Sequence, residues 1–177
     1  MVLPDTLWTI GHSTRAAAEF LQLLAGNDIE ALADVRRFPG SRKYPHFNVE
    51  PLAHALGEAG IEYVPFPELG GRRKPRPDSP NTAWRNDAFR GYADYMQTPE
   101  FAAGVERLSA LASAKRTAIM CSEAVWWRGH RGLIADWLKV RGVRVLHILD
   151  ARHVVEHPWT SAAHVENGEL DYGTRKA

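Results

Sequence analysis

The sequence predicts an α/β fold: a single three-layer domain with a mostly parallel five-stranded sheet and helices on both faces. Three observations predict it. Short apolar runs rich in Val, Ile, Leu and Ala alternate with longer stretches of helix-like spacing along most of the chain. Strands separated by helices are joined by right-handed crossovers, which makes neighbouring strands parallel. The connections also segregate, with long polar loops at one end of every strand and short Gly- or Asn-containing turns at the other.

Leu7-Trp8-Thr9-Ile10 is the first strand. It breaks at Gly11-His12-Ser13-Thr14, where Ser13 or Thr14 is placed to cap a helix carrying Phe20, Leu21, Leu23 and Leu24. Asn27-Asp28 stops that helix, and Ala31-Leu32-Ala33-Asp34-Val35 is the second strand. The stretch 36–45 holds Pro, Gly and Ser and is a loop. A helix over 49–59 ends at Gly60, and a third strand runs to Pro65. The loop 66–86 is long enough to be functional or disordered. Phe89, Tyr92, Ala93, Tyr95 and Met96 mark a third helix. Thr98-Pro99 opens a fourth, as cap and first helical residue. A strand over 116–121, a helix over 130–141 that stops at Gly142, and a strand over 143–149 complete the core, which spans about 6–150 of the 177 residues. The tail 151–177 is polar; either Asn167-Gly168 closes a small hairpin or the last ten residues are loose.

A hydrophobic content of 45% and a charged content of 24% fit one soluble domain. A net charge of +1 excludes the global basic field that announces a nucleic-acid binder. One cysteine excludes an intramolecular disulfide and a multi-thiolate zinc site. The N-terminus carries neither a basic segment nor a long apolar run, and no stretch approaches the roughly 18 apolar residues of a membrane helix. A cytoplasmic protein with no membrane partner is expected. The oligomeric state is not written in the sequence.

Ligands of open parallel sheets bind beyond the carboxyl ends of the strands. This chain delivers His12, Ser13 and Arg15 there from the first strand, and Arg36, Arg37 and Ser41 from the second. The third strand leads to Gly70, Gly71 and Arg72. The fourth leads to Cys121, Glu123, Trp127, Arg128, His130 and Arg131. Guanidinium groups match phosphate and carboxylate bidentately, and helices expected to start near Ser13 and Gly129 add donors. A small anionic ligand, phosphate first, is the expected partner. No Walker loop or dinucleotide fingerprint specifies a nucleotide.

Each candidate has a plainer alternative. Cys121 is a small core residue, an activated thiolate aided by His130 and Arg131, or a metal or redox group. The arginines at 128 and 131 lie too far along the chain for the usual cysteine phosphatase spacing. Glu123 is an acid–base group or the partner of a rim arginine. His130 is a catalyst or a helix-start hydrogen-bonder. Trp126-Trp127 is a stacking platform or a lid over the core. His12, Cys121, Glu123 and His130 are too scattered to specify a metal, so no metal or cofactor is expected. The basic loops 36–43 and 72–76, with Phe38, Tyr44 and Phe47 nearby, suit nucleic acid or are solvated surface.

Thr9-Ile10-Gly11-His12-Ser13, Asp34-Val35-Arg36 with Pro39 and Ser41, Leu69-Gly70-Gly71, and Cys121-x-Glu123 through His130-Arg131 to Ile134-Ala135 occur in that order. Together they resemble the bacterial family catalogued as domain of unknown function 488, over roughly 7–148. The resemblance implies a cytoplasmic α/β domain and no established activity. Many members of that family have a second cysteine just before the His-Arg pair; Gly129 stands there in this chain. Shared two-thiol chemistry is therefore not expected.

The leading functional expectation is an enzyme, a hydrolase or transferase, acting on a phosphorylated or nucleotide-like ligand. Arg36, Arg131 and Arg15 would hold the anion, Cys121 or Glu123 would do the chemistry, and His12 would orient the substrate. The alternatives are a nucleic-acid module built on the basic loops and a non-catalytic sensing or interaction domain.

Overall fold

Which helix covers which face follows from the period-two alternation of the strands. The computed structural model describes residues 1–174. Its main sheet contains β1 (Thr6–Gly11), β2 (Ala31–Asp34), β3 (Glu62–Pro65), β4 (Thr117–Cys121), β5 (Arg144–Ile148) and β6 (Val154–Glu156), in the spatial order β3-β2-β4-β1-β5-β6. The first five are parallel and β6 runs antiparallel beside β5. The sheet therefore has one strand more than the sequence predicts. At three residues, with an exposed pattern, β6 lacks the apolar run that identifies a strand in sequence.

Odd-numbered positions of the central strands, such as Leu7, Ala33, Ile119 and Val145, face one core. That core is closed by α3 (Asp87–Tyr95), α4 (Pro99–Ala114) and α5 (Arg131–Val140), through Tyr92, Phe101, Val105 and Leu133. Even positions such as Trp8, Ile10, Leu32 and Met120 face the other core, closed by Phe20 and Leu24 of α1 (Ala17–Gly26) and Leu52 and Leu56 of α2 (Val49–Glu58). Burial of each such side chain contributes about 1.5–3 kcal/mol. Among the described residues no helix is long and apolar enough to cross a membrane.

The ends of the helices mostly follow their expected signals. Thr98 Oγ1 accepts from Phe101 N at 3.3 Å with Pro99 in the first turn. Gly60 and Gly142 have φ of +76° and +89° after α2 and α5. The cap at Ser13 or Thr14 does not form. α1 starts at Ala17 after Ala16, which has no side-chain cap, because Ser13 is used in a left-handed turn at φ 49°.

The long loop is ordered by α3. Asp94 accepts from Arg76 N, Ser79 Oγ and Asn81 Nδ2, while the Tyr92 and Tyr95 hydroxyls donate to Leu69 O and Glu68 O. The C-terminal segment is likewise built in. Asn167 and Gly168, both with positive φ, close the hairpin of β7 (His164–Glu166) and β8 (Glu169–Asp171). Of the last ten residues, 175–177 lie outside the described residues. His157, Thr160 and Tyr172 are buried, so packing extends well past residue 150.

Those three residues join a buried polar chain. Asp136 on α5 accepts from Thr160 N, the Thr160 hydroxyl, the Tyr172 hydroxyl at 2.7 Å and His157 Nε2 at 2.7 Å. His157 Nδ1 meets His147 Nε2 at 2.8 Å, and His147 Nδ1 meets Thr9 Oγ1 at 2.5 Å. Thr9 Oγ1 in turn accepts from Arg131 Nε at 3.2 Å. Arg131 can only donate and the Asp136 carboxylate can only accept, so the chain runs from a buried cation to a buried anion. Burial, then the neighbouring His157 and Arg131, hold His147 down to a pKa of about 2, so it is neutral.

Because the folded pKa of His147 is depressed, the unfolded chain binds a proton that the folded one refuses. Stability should rise with pH between about 2 and 6.5. Lowering the pH from 6.5 to 5 should cost about 2 kcal/mol through this residue, at about 1.4 kcal/mol per unit. Urea unfolding of the protein and of His147→Gln checks this. The variant should lose that part of the slope, and an unchanged slope would show that His147 is not held neutral.

Candidate functional site

The carboxyl ends of β1, β2 and β4, the loop 66–86 and the start of α5 enclose a cavity of about 590 Å³. Parallel register puts Gly11 beside Cys121, and the pairing continues outward as His12 N donates to Cys121 O and Ser13 N to Ser122 O. The turn after β4 lies directly over Gly11, where a Cβ would stand 1.7 Å from Glu123 O. Glycine at position 11 is what lets this turn fold back over the strand.

Arg131 holds the same turn from below. Its guanidinium is wholly buried and donates to Cys121 Sγ at 2.9 Å, to Glu123 O and to Ala124 O. Every edge of it is occupied internally and it does not line the cavity. The expectation that Arg131 holds a ligand is corrected accordingly. Arg15 is also spent, donating to Gly11 O, Leu149 O and Glu19. Gly70 is a packing position, since its Cβ would overlap Arg37. Trp127 lies on the far side of the turn, in a different pocket. The first N–H groups of α5 are also taken, with Gly132 N bonded to Gly129 O and Leu133 N to His130 O.

The other expected residues converge on the cavity: His12, Ser13, Arg36, Arg37, Ser41, Gly71, Cys121, Glu123, Arg128 and His130. Arg36 forms the floor. It grips Asp34 through Nε at 2.9 Å and Nη2 at 2.8 Å, leaving Nη1 3.5 Å from His12 Nε2. Arg37 and Arg72 both lie over the Phe38 ring, 5.2 and 5.6 Å from its centroid, and Arg37 Nη1 donates to Arg72 O. Among the described residues, neither the Arg128 guanidinium nor the Glu123 carboxylate has a hydrogen-bonding or ion-pairing partner. Ser13 and Arg72, with φ of 49° and 60°, are two strained backbone positions that both line the cavity.

The two histidines are neutral and their tautomers are fixed. His12 Nδ1 lies 3.0 Å from Ser13 O, and a carbonyl only accepts, so Nδ1 carries the proton and Nε2 presents its lone pair. Burial lowers its pKa and Arg36 adds to the effect. His130 Nε2 donates to Val35 O at 2.8 Å, and its Nδ1 faces Gly71. Burial, against that hydrogen bond, takes His130 down to about 4. Cys121 is only 2% exposed and is one of the residues that line the cavity. Among the described residues no group of three or more His, Cys, Asp or Glu is placed to hold a metal.

Sequence reasoning missed the polar chain behind the site. Its signal was present: Thr9 and His147 interrupt buried strands, and Asp136 interrupts the apolar run of α5. It also missed Phe89 and Tyr92 as cavity residues, because both read as core positions of a helix. Of the loop 72–76, Arg72 alone reaches the cavity. Arg73 packs on Tyr95 and donates to Gly70 O, and Arg76 pairs with Asp78.

An α/β sheet with a polar cleft at its carboxyl edge defines the class, and the family follows from the chain itself. The family model described as "Domain of unknown function DUF488" matches residues 16–138, and the protein belongs to that family. No curated protein and no solved structure gives a match.

Gly129 stands just before the His130-Arg131 pair. A Cβ there would lie 3.1 Å from Cys121 Sγ, close to the span between a sulfur and the far Cβ of a disulfide. In Gly129→Cys the introduced thiol should therefore oxidise in air to a disulfide with Cys121, consuming both thiols. Thiol titration before and after denaturation checks this; two free thiols in the oxidised, denatured protein would contradict the placement.

Proposed function

We propose that the protein is an enzyme that binds a phosphorylated, nucleotide-like anion at this cavity, as a hydrolase or transferase. The observation that carries the reading is one partnerless carboxylate, Glu123, in a cavity rimmed by Arg37, Arg72 and Arg128 and floored by Arg36. Arginine forks suit phosphate oxygens, and a carboxylate left among them is held for work rather than for pairing. His12 Nε2, a fixed lone pair beside Arg36, is the group suited to take the proton of an attacking water or alcohol as its oxygen bonds to phosphorus and the P–O bond to the leaving group breaks, the leaving oxygen departing as an anion that takes its proton from solvent. Cys121 forms the wall, with its sulfur held by Arg131. A lone free thiol suits a reducing compartment, the cytoplasm.

One observation favours a second reading, a nucleic-acid module. Phe38 is 60% exposed at the cavity and has two arginines beside it, the form of a stacking platform for a single strand. Arg73 and Arg76 are engaged elsewhere, which leaves less basic surface for a long strand than the sequence predicts.

Pyrophosphate is the test ligand. It should raise the melting temperature of the protein, and Arg37→Ala and Arg128→Ala should each weaken its binding about tenfold, the loss of one charge-assisted pair. Glu123→Gln should bind it at least as tightly while losing turnover, because a like charge is removed from the rim. Absence of binding by calorimetry, or binding indifferent to both arginines, would sink the anion reading.

A further inference from the structure

Four arginines line the anion cavity, and among the described residues Arg36 alone is paired with a carboxylate. That carboxylate, Asp34, is buried at the end of β2 and its two oxygens are saturated. Oδ1 accepts from Arg36 N at 3.0 Å and Nε at 2.9 Å. Oδ2 accepts from Arg36 Nη2 at 2.8 Å and from the Tyr63 hydroxyl at 2.6 Å. Tyr63 reaches it from the edge strand β3, and burial and then the carboxylate raise its pKa, which keeps the phenol a donor. A guanidinium held this way has its charge answered internally. It cannot turn towards a ligand without leaving Asp34 buried and unpaired, which is costly.

The nitrogen that Asp34 does not take is Nη1. It lies 3.5 Å from His12 Nε2, beyond the roughly 2.7–3.2 Å of a good N–H hydrogen bond. An oxygen about 2.8 Å from both atoms bridges them if it accepts from Nη1 and donates to Nε2. A water or an alcohol does both, whereas the oxygens of a fully ionised phosphate only accept. His12 is fixed for this role, with Nδ1 on Ser13 O and its ring stacked on the buried Phe47 at 4.4 Å and 24°. The groups acting on its charge are Arg36, Asp34 and His46. Burial lowers its pKa, Arg36 and His46 act in the same direction, and the Ser13 bond and Asp34 oppose them.

We propose that Arg36 and His12 together form the nucleophile site of this cavity, and that Arg36 is a catalytic residue rather than an anion ligand. The inference rests on the anion-site reading, which supplies the phosphoryl group. Nη1 donates to the oxygen of a water or alcohol, and Nε2 takes that oxygen's proton as it bonds to phosphorus. The P–O bond to the leaving group breaks, the leaving oxygen takes a proton from solvent, and His12 returns its own to solvent. Arg37, Arg72 and Arg128 carry the anion. Asp34 and Tyr63 are positioning residues that act through Arg36.

Inorganic phosphate and orthovanadate separate the two roles. Vanadate takes the five-coordinate shape of a phosphoryl group in transfer, with an apical oxygen where the attacking one stands. By calorimetry it should bind the parent protein about a hundredfold more tightly than phosphate, as a transition-state analogue does. Arg36→Gln and His12→Gln should each remove most of that margin and leave phosphate binding within about twofold, since the lost contact is made only in the transition state. Asp34→Asn, which frees the guanidinium, should lose the margin while phosphate binds more tightly, a gain that a merely structural defect would not give. Equal loss of both ions in Arg36→Gln, or a margin that survives it, overturns the proposal, as does weaker phosphate binding in Asp34→Asn. Phosphate binding without a vanadate margin in the parent overturns the nucleophile site while the anion reading stands. Binding of neither ion overturns both.

Discussion

The structure depends on one split ion pair. Arg131 and Asp136 are both fully buried, sit on the same helix, and are joined not by contact but through Thr9, His147 and His157. A buried charge without a partner costs several kcal/mol, so each end requires the other and the relay between them. The consequence for the site is geometric. Arg131 spends its outer edge on Cys121, Glu123 O and Ala124 O, fixing the turn that carries Glu123 and Arg128 into the cavity. The other end ties in the C-terminal segment through Thr160 and Tyr172. Removing Asp136 would leave a buried guanidinium and release both the tail and the turn.

The same relay links the two pockets. His147 supports Trp126 on one side of the turn, while Arg131 supports Cys121 on the other. A turn built this way is preorganised, since its backbone carbonyls are already committed while the side chains of Glu123 and Arg128 line the cavity. The neutrality of His12 and His130 follows from the same economy of charge. With four arginines near the cavity, two protonated imidazoles would add repulsion, and burial keeps both uncharged.

How much of this was legible in the sequence depends on the range of the interactions. The strands, the crossover helices and the rim that gathers the polar loops follow from period and turn chemistry, which are local. Hence Thr98-Pro99, Gly60, Gly142 and Asn167-Gly168 appear where they are expected. The direction of a long side chain is not local. Arg131 and Arg128 look alike in sequence, three residues apart; the structure buries the first and leaves the second at the cavity. Ser13 misled for a related reason, because its turn serves the cavity and not the helix cap. The strand β6 and the buried Tyr172 were hidden in a polar segment whose few apolar residues are far apart.

The wall made by Cys121 belongs, on this reading, to a cavity that an anion fills. The single cysteine makes that directly measurable through the rate of its alkylation in the native protein, with and without pyrophosphate. Slow but measurable modification through the cavity is expected, with saturable protection as pyrophosphate is added. Modification that requires denaturant, or that proceeds at one rate whatever the pyrophosphate concentration, would contradict it.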